Sequence, residues 1–479
     1  MCRGDPRAFL YERLASEIAE QIEQDLYRAG ERLPGVRVFS GQRNISAATA
    51  VAVYRRLEED GFIEARPRSG FYVRSRPRIR IPEPDISRPS VRPRAISGQQ
   101  LAMQLSKATN EPHTVQLGAA VPGPGFLPER AVERALSSAA RLHRQRVIGY
   151  AFPPGAPELR QQLARRMAEC GCHTPADEII VTSGCQEAMV LALRAVTEPG
   201  DVVAIESPTF YGLLQAIDAL GLKALEIPTH PRDGLSLEAL QLALEQWRVK
   251  ACILVPNYSN PLGYLMPDER KQRLVALLAR HQAALIEDDV YGDIGFSQRR
   301  PSVCKAYDEE GMVLYCASFS KTLSPGLRVG WIAPGRYHEK IEYLKYVSNM
   351  ATATAPQIAV AELLRSGAYE RHLRKARGRY ARAVERMVEA VDRHFPEGTR
   401  VTRPQGGFVV WVELGEPIDT FELSQHLLDR QISIAPGPIF SASQKYRNCM
   451  RLSCACEWDD RVERALATIA GLIREGASS

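Results

Sequence analysis

The chain has 479 residues, 45% of them hydrophobic and 25% charged, with a net charge of +6. This composition fits a globular protein with room for two or three domains. No apolar run approaches the roughly 20 residues of a membrane span, and the opening MCRGDPRAFL lacks the apolar core of a signal peptide, so a cytoplasmic protein without a membrane partner is expected.

The 10 cysteines are scattered, with Cys170/Cys172 and Cys454/Cys456 one residue apart and no CxxC pair. That pattern argues for reduced thiols and no metal site. Charge is uneven. Residues 1–74 hold 12 Arg and 11 acids, whereas residues 75–100 hold 6 Arg and 2 acids. A basic N-terminal fifth suits an anionic partner, and a solvated Arg-rich tail reads the charge equally well.

Residues 8–74 read as three short helices and a hairpin. Leu14, Ile18, Ile22 and Leu26 form an apolar stripe on a helix over 11–27, which Gly30 ends. A second helix falls near 35–42. Asn44 follows where a turn wants a left-handed residue, and Ser46 caps a third helix over 47–60, stopped by Gly61. Residues 62–66 and 70–73 are strands around a Pro/Gly turn. Helix, helix, turn, helix and hairpin make a winged helix-turn-helix. The segments Gly30–Arg37, Ser46–Thr49, Tyr54–Ile63 and Arg66–Val73 resemble the GntR family of bacterial regulators. Two positions depart from it: Gly35 stands for the usual capping serine, and Arg43-Asn44 for the common Leu-Gly. The resemblance implies double-stranded DNA as partner. Ser46, Ala47 and Thr49 would face base edges in the major groove, Arg37 and Arg43 would meet phosphates, and the wing (Arg66, Arg68, Gly70) would reach the minor groove or backbone. A winged helix used only for protein contacts is the alternative.

Residues 75–112 read as an extended Pro/Arg-rich linker, with Pro77, Pro82, Pro84, Pro89 and Pro93 among arginines. From 113 to 479 strands and helices alternate. Strands are expected at 178–182, 202–206, 223–227, 251–255, 283–287, 312–317 and 328–333, which is an α/β domain on a largely parallel sheet. After about 340 long helices and strands near 407–414 and 449–453 form a smaller α+β part.

Residues with chemistry stand at the ends of these strands. Lys321, between Ser318 and Ser324 and followed by Arg328-Val329-Gly330, suits a Schiff base with an aldehyde cofactor, and the aldehyde that proteins hold this way is pyridoxal 5'-phosphate (PLP). Ser183-Gly184-Cys185 ends a strand and opens a helix, where backbone N–H groups cradle a phosphate. Phe210 lies in Ser207-Pro208-Thr209-Phe210-Tyr211-Gly212, and Asn260-Pro261-Leu262-Gly263 follows the run ACILVPN. Glu287-Asp288-Asp289-Val290-Tyr291 ends the next strand. Its acids, with Asp293, also read as a metal cluster, which the downstream lysine opposes. Taken singly, each motif also reads as core or turn.

In this order the motifs resemble the fold-type I, class I aminotransferases over roughly 113–470. The resemblance implies PLP on Lys321, with Ser183, Gly184, Cys185, Ser318, Ser320 and Arg328 around its phosphate. Tyr150 would reach that phosphate across a dimer interface. Phe210 would stack on the pyridine ring, Asp288 would pair with the ring nitrogen, and Asn260 and Tyr291 would bond the phenolic oxygen. Arg451 would grip an amino acid's α-carboxylate, and loops near 118–127, 264–266 and 436–441 would meet its side chain. Lys321 would also be the catalytic proton carrier. Winged helix, linker and aminotransferase-like domain together resemble the MocR subfamily of GntR regulators. That implies a homodimeric transcription regulator whose effector is an amino acid, an amine or PLP itself. A working aminotransferase with a secondary DNA-binding module is the other reading.

Overall fold

The computed structural model describes residues 10–23, 26–59, 61–66, 69–74, 81–96, 111, 113–297, 299–415 and 417–476. It divides into two compact units, residues 1–80 and 81–479.

The first unit holds α1 (Leu10–Glu23), α2 (Val36–Arg43), α3 (Ala47–Glu59), β1 (Ile63–Arg66) and β2 (Gly70–Val73). Its core is one cluster that includes Ala15, Ile18, Phe39, Ala50, Val53, Leu57, Ile63 and Val73. Tyr54 is at its centre, with its ring 5.1 Å from Phe39 and 4.9 Å from Phe71, and its hydroxyl donating to the Pro34 carbonyl at 2.5 Å. Burial pushes that phenol up, so it stays a donor. Asn44 takes the left-handed conformation at φ 51°, ψ 49°, which a short polar side chain tolerates. Leu26 departs from the expected stripe: it lies past the end of α1 and is 66% exposed.

The second unit is built on an eight-stranded sheet: β4 (Ile180–Thr182), β5 (Val202–Ser207), β6 (Lys223–His230), β7 (Gly234–Leu235), β8 (Val249–Leu254), β9 (Ala284–Asp288), β10 (Val313–Ser318) and β11 (Gly330–Ala333), in the order β4-β11-β10-β9-β8-β5-β6-β7. Five neighbours, β10-β9-β8-β5-β6, run parallel. Side chains along these strands alternate between two cores. Ala204, Cys252, Leu285 and Val313 belong to one, and Ile205, Ile253, Ile286 and Leu314 to the other. Burial of both faces explains the nearly unbroken apolar runs. A smaller sheet follows: β12 (Arg400–Val401), β13 (Val409–Glu413), β15 (Ala435–Pro436) and β16 (Cys449–Ser453), in the order β12-β13-β16-β15. Between them in the chain, β14 (Ile432–Ser433) pairs in parallel with β3 (Val115–Gln116).

Residues 81–96, read from sequence as part of an extended linker, lie along this second unit. Ile81, Pro84 and Ile96 are buried, and Arg94 bridges to Ala224 on β6 in both directions. Residues 75–80, 97–110 and 112 lie outside the described residues. Among the described residues, no helix is long and apolar enough to cross a membrane.

Candidate functional site

A cavity of about 280 Å³ opens at the carboxyl ends of β4, β5, β8, β9 and β10, where open α/β sheets place their ligands. Its lining includes Cys185, Phe210, Asn260, Asp288, Tyr291, Ser318, Ser320, Lys321 and Arg328. Nine candidates drawn from five separate strand ends thus meet in one hollow.

One end is shaped for an anion. Helix α4 (Cys185–Val196) starts at Gly184, φ 89°, without a side-chain cap, so its first-turn N–H groups keep their capacity for an incoming acceptor. Arg328, itself left-handed at φ 51°, crosses this turn and donates to the Ser183 carbonyl at 2.8 Å. A Cβ on Gly184 would collide with that guanidinium. Ser318 ends β10, and its Oγ accepts from the Ser320 N–H at 3.4 Å.

The centre holds Asp288 and Lys321. Asp288 is buried at the end of β9 and accepts from the Val290 N–H and the Cys185 thiol, both at 3.3 Å. Burial raises its carboxyl to about 6, against the opposing pull of these two donors. Lys321 is half-buried in the cavity wall, and its Nζ donates to the Ala120 carbonyl at 2.7 Å. Burial, then the nearby Arg451 charge, lowers its amine to about 8. Asn260 donates to the Tyr291 hydroxyl at 3.2 Å. Burial pushes that phenol up, so it remains protonated.

Arg451, on β16, does not line the cavity itself. It is fully buried, donates to Asn260 Oδ1 at 2.9 Å and to the Gly118 carbonyl, and lies 5.0 Å from the Phe440 ring centroid. Its Nε has no partner, an unsatisfied donor beside the site. Tyr150 is elsewhere: it is 72% exposed and stacks on Phe152 at 5.2 Å, outside its own chain's cavity.

The acids read from sequence as a possible metal cluster diverge. Asp289 and Asp293 both take Arg300, at 2.6 Å each, and Asp293 also takes Arg166 at 2.7 Å. Glu287 accepts the Cys304 and Lys305 N–H groups. Only Asp288 faces the cavity. Of the loops expected near the ligand's side chain, Ala119, Ala120 and Val121 line the cavity and 264–266 and 436–441 do not. Sequence reasoning missed the Cys185 thiol as a donor, the Ala120 carbonyl and the Arg166/Arg300 pair. Ala120 and Lys321 are 201 residues apart, and no local pattern links them.

In the first unit, Ser46, Ala47 and Arg37 are exposed and Thr49 half-buried at the start of α3 and on α2. Arg43, expected at a phosphate, is partly exposed and pairs with Glu17 of α1 at 2.8 Å. Arg66 pairs with Glu64 at 2.8 Å and covers the Tyr72 ring at 4.4 Å. Gly70 opens β2 at φ 112°. Arg68 lies outside the described residues.

Comparison with known proteins adds to this geometry. Residues 120–469 match the model of the aminotransferase class I and II family, and residues 10–73 that of the bacterial regulatory proteins of the gntR family. The chain is 42% identical over 459 residues to the uncharacterized HTH-type transcriptional regulator YjiR of Escherichia coli K12, covering 96% of this chain and 97% of that one. It is 31% identical to the 2-aminoadipate transaminase of Thermus thermophilus, over 77% of this chain and 94% of that one. Among solved structures, the Pyrococcus horikoshii kynurenine aminotransferase in complex with PMP is similar at a TM-score of 0.73 and 28% identity, covering 80% of this chain and 95% of that one.

Proposed function

The chain belongs to the class I and II aminotransferase family and joins that fold to a GntR winged helix in the architecture of MocR-type transcriptional regulators; on that premise we propose that it binds PLP on Lys321 and senses an amino compound, or PLP itself, to control DNA binding. It is a DNA-binding regulator by family. The observation that carries the sensing role is the convergence of Lys321, Asp288, Tyr291, Asn260 and Arg328 at one cavity.

The residues fit the cofactor by their chemistry. The uncapped turn at Ser183-Gly184-Cys185, with Ser318, Ser320 and Arg328, would hold a phosphate. Asp288 would keep the ring nitrogen protonated, Asn260 and Tyr291 would donate to the phenolic oxygen, and Phe210 would cover the ring. When bound, PLP supplies an aldehyde for a lysine amine and an electron-withdrawing ring. Arg451, with its unpartnered Nε, would take an α-carboxylate in place of the Gly118 carbonyl. Lys321 Nζ, lowered to about 8, would then carry a proton at the amino acid's Cα.

We propose a homodimer in the cytoplasm, with Tyr150 reaching the partner's phosphate site and two winged helices reading an operator. Exposed apolar side chains near Tyr150 support it: Ile148, Phe152, Tyr346 and Val347 are 89%, 48%, 48% and 52% exposed. The proposed domain bounds are 8–74 for the winged helix, 75–112 for the connection and 113–479 for the PLP domain. Turnover as an aminotransferase is the second reading, favoured by the near-neutral Lys321 amine.

The experiment is a visible titration of the PLP-loaded chain with amino acids and amines. A ligand that shifts the band stably, and changes operator affinity, supports the sensor. Bleaching that an oxo acid reverses supports turnover. A chain that takes up no PLP on Lys321 sinks the proposal.

A further inference from the structure

We propose that residues 81–94 are a strap that couples ligand capture at Arg451 to the chain segment leading into the winged helix, and that Glu83 and Asp85 are its clasp. This rests on the sensing role proposed above and assigns its route.

The strap touches two separate sheets of the second unit. On the smaller sheet, the Val401 N–H donates to the Pro82 carbonyl at 2.9 Å. Arg400 pairs with Asp85 at 2.5 Å, and Arg403 donates from its N–H to Glu83 Oε1 at 3.2 Å and from Nη2 to the Ile81 carbonyl at 2.8 Å. Ile81 N–H donates to Asp392 at 3.0 Å, on the helix Ala368–His394. On the larger sheet, Glu83 also pairs with Arg232, just past β6. Ser87 exchanges bonds with Thr229 of β6, donating from its N–H at 3.2 Å and accepting on Oγ at 2.8 Å. Arg94 and Ala224 then bond reciprocally at 3.0 and 2.9 Å. Glu83 is therefore one carboxylate bridging the segments just past β12 and just past β6, with its side chain 11% exposed.

Arg451 stands two strands in from the strap on the same small sheet. It is in register with Trp411 of β13. Trp411 and Thr402 bond twice, the Thr402 N–H to the Trp411 carbonyl at 3.0 Å and the Trp411 N–H to Thr402 Oγ1 at 2.9 Å. The next residue, Val401, holds the strap. A carboxylate that replaces the Gly118 carbonyl on Arg451 changes a buried, charge-assisted contact of β16. The hydrogen-bonded path from there to Pro82 and Asp85 crosses three strands, β16, β13 and β12. A coupling route needs contiguous contacts and an element that two sites can both bias. The strap supplies the contiguous contacts, and its N-terminal end continues in sequence towards residues 1–74.

The test uses the full-length, PLP-loaded chain, unmodified and as Glu83→Gln/Asp85→Asn, with the mixed proteinogenic L-amino acids as probe. Visible absorbance reports the cavity. Hydrogen exchange reports the Ser87, Arg94 and Val401 amides, and fluorescence anisotropy reports operator affinity. In the unmodified chain the probe should change exchange at those amides and shift DNA affinity by about 5-fold or more. In the variant the absorbance response should keep its half-point while the DNA shift falls below about 2-fold. Ser87→Ala, which removes the side-chain acceptor of the Thr229 N–H and a hydrogen bond to the Tyr446 phenol, should reduce the shift in the same direction. A variant with the full DNA shift overturns the strap and leaves the sensor intact, and so does unchanged exchange at all three amides when the band responds. If the band never responds, the sensing role fails, and the same exchange comparison between PLP-free and PLP-loaded chains decides the strap.

Discussion

At the scale of single residues, the site is tuned by burial more than by partners. Lys321 is lowered to about 8, first by burial and then by Arg451. Only the neutral amine attacks an aldehyde, so the rate of PLP capture should rise with pH, flatten above about 8 and stay flat. An ordinary lysine would keep gaining about tenfold per pH unit towards 10.4. Stopped-flow growth of the visible band in the PLP-free chain measures this, and a rate still climbing steeply above pH 9 contradicts it. Asp288 shows the opposite cost. Its carboxyl is raised from 3.8 to about 6, so folding favours its protonated form. The resulting stability is full below about 3.8, is lost as pH rises through 6, and leaves the ionised acid a net burden at neutral pH. Asp288→Asn should therefore raise the unfolding free energy of the PLP-free chain at pH 7.5, by about 1–3 kcal/mol, while weakening retention of PLP. Chemical denaturation and dialysis against buffer check the two halves. A variant that is both less stable and fully PLP-competent would reverse the assignment.

At the scale of elements, caps and strand ends carry the function. Ser46 Oγ accepts the Thr49 N–H at 3.0 Å and lies 2.8 Å from the Thr49 hydroxyl, so the residue expected to face DNA also starts α3. Ser46→Ala should cost the winged helix about 1 kcal/mol of stability, whereas Ser46→Asp should keep the cap and still weaken operator binding by placing a like charge near phosphates. Unfolding curves beside anisotropy titrations separate the two roles, and equal DNA affinity for Ser46→Asp would remove Ser46 from the interface. Much of this was legible in the sequence, because a strand end, a turn and a cap are local. Asn44, Ser46, Gly184 and the strand ending at Asp288 each announce themselves within a few residues. What sequence could not give is contact between distant segments. The Arg43 to Glu17 pair joins α2 to α1 across 26 residues, and residues 81–96 look like linker because their apolar content is low and their partners, Thr229, Ala224 and Arg400, are more than a hundred residues away. Arg451 could be matched to a role, but its neighbours Gly118 and Asn260 come from loops that no periodicity connects.

At the scale of the whole molecule, the proposed site depends on what a second copy supplies. Tyr150 is 72% exposed, outside its own cavity, with Phe152 and Tyr346 in ring contact beside it, 6.2 Å apart. Exposed aromatics grouped in this way are what association surfaces are made of. If the pair is the functional unit, the chain should sediment at twice 53.2 kDa. Phe152→Asp with Tyr346→Asp should bring it to the single mass, because two buried charges without partners cost several kcal/mol. The same variant should lose PLP, since each phosphate site would lack the partner's Tyr150, and its operator affinity should drop steeply, since a lone winged helix reads one half-site. Sedimentation, the visible band and anisotropy would fall together. A monomeric variant that keeps its PLP band would show that each cavity is complete within one chain, and Tyr150 would then be a surface residue of the interface alone.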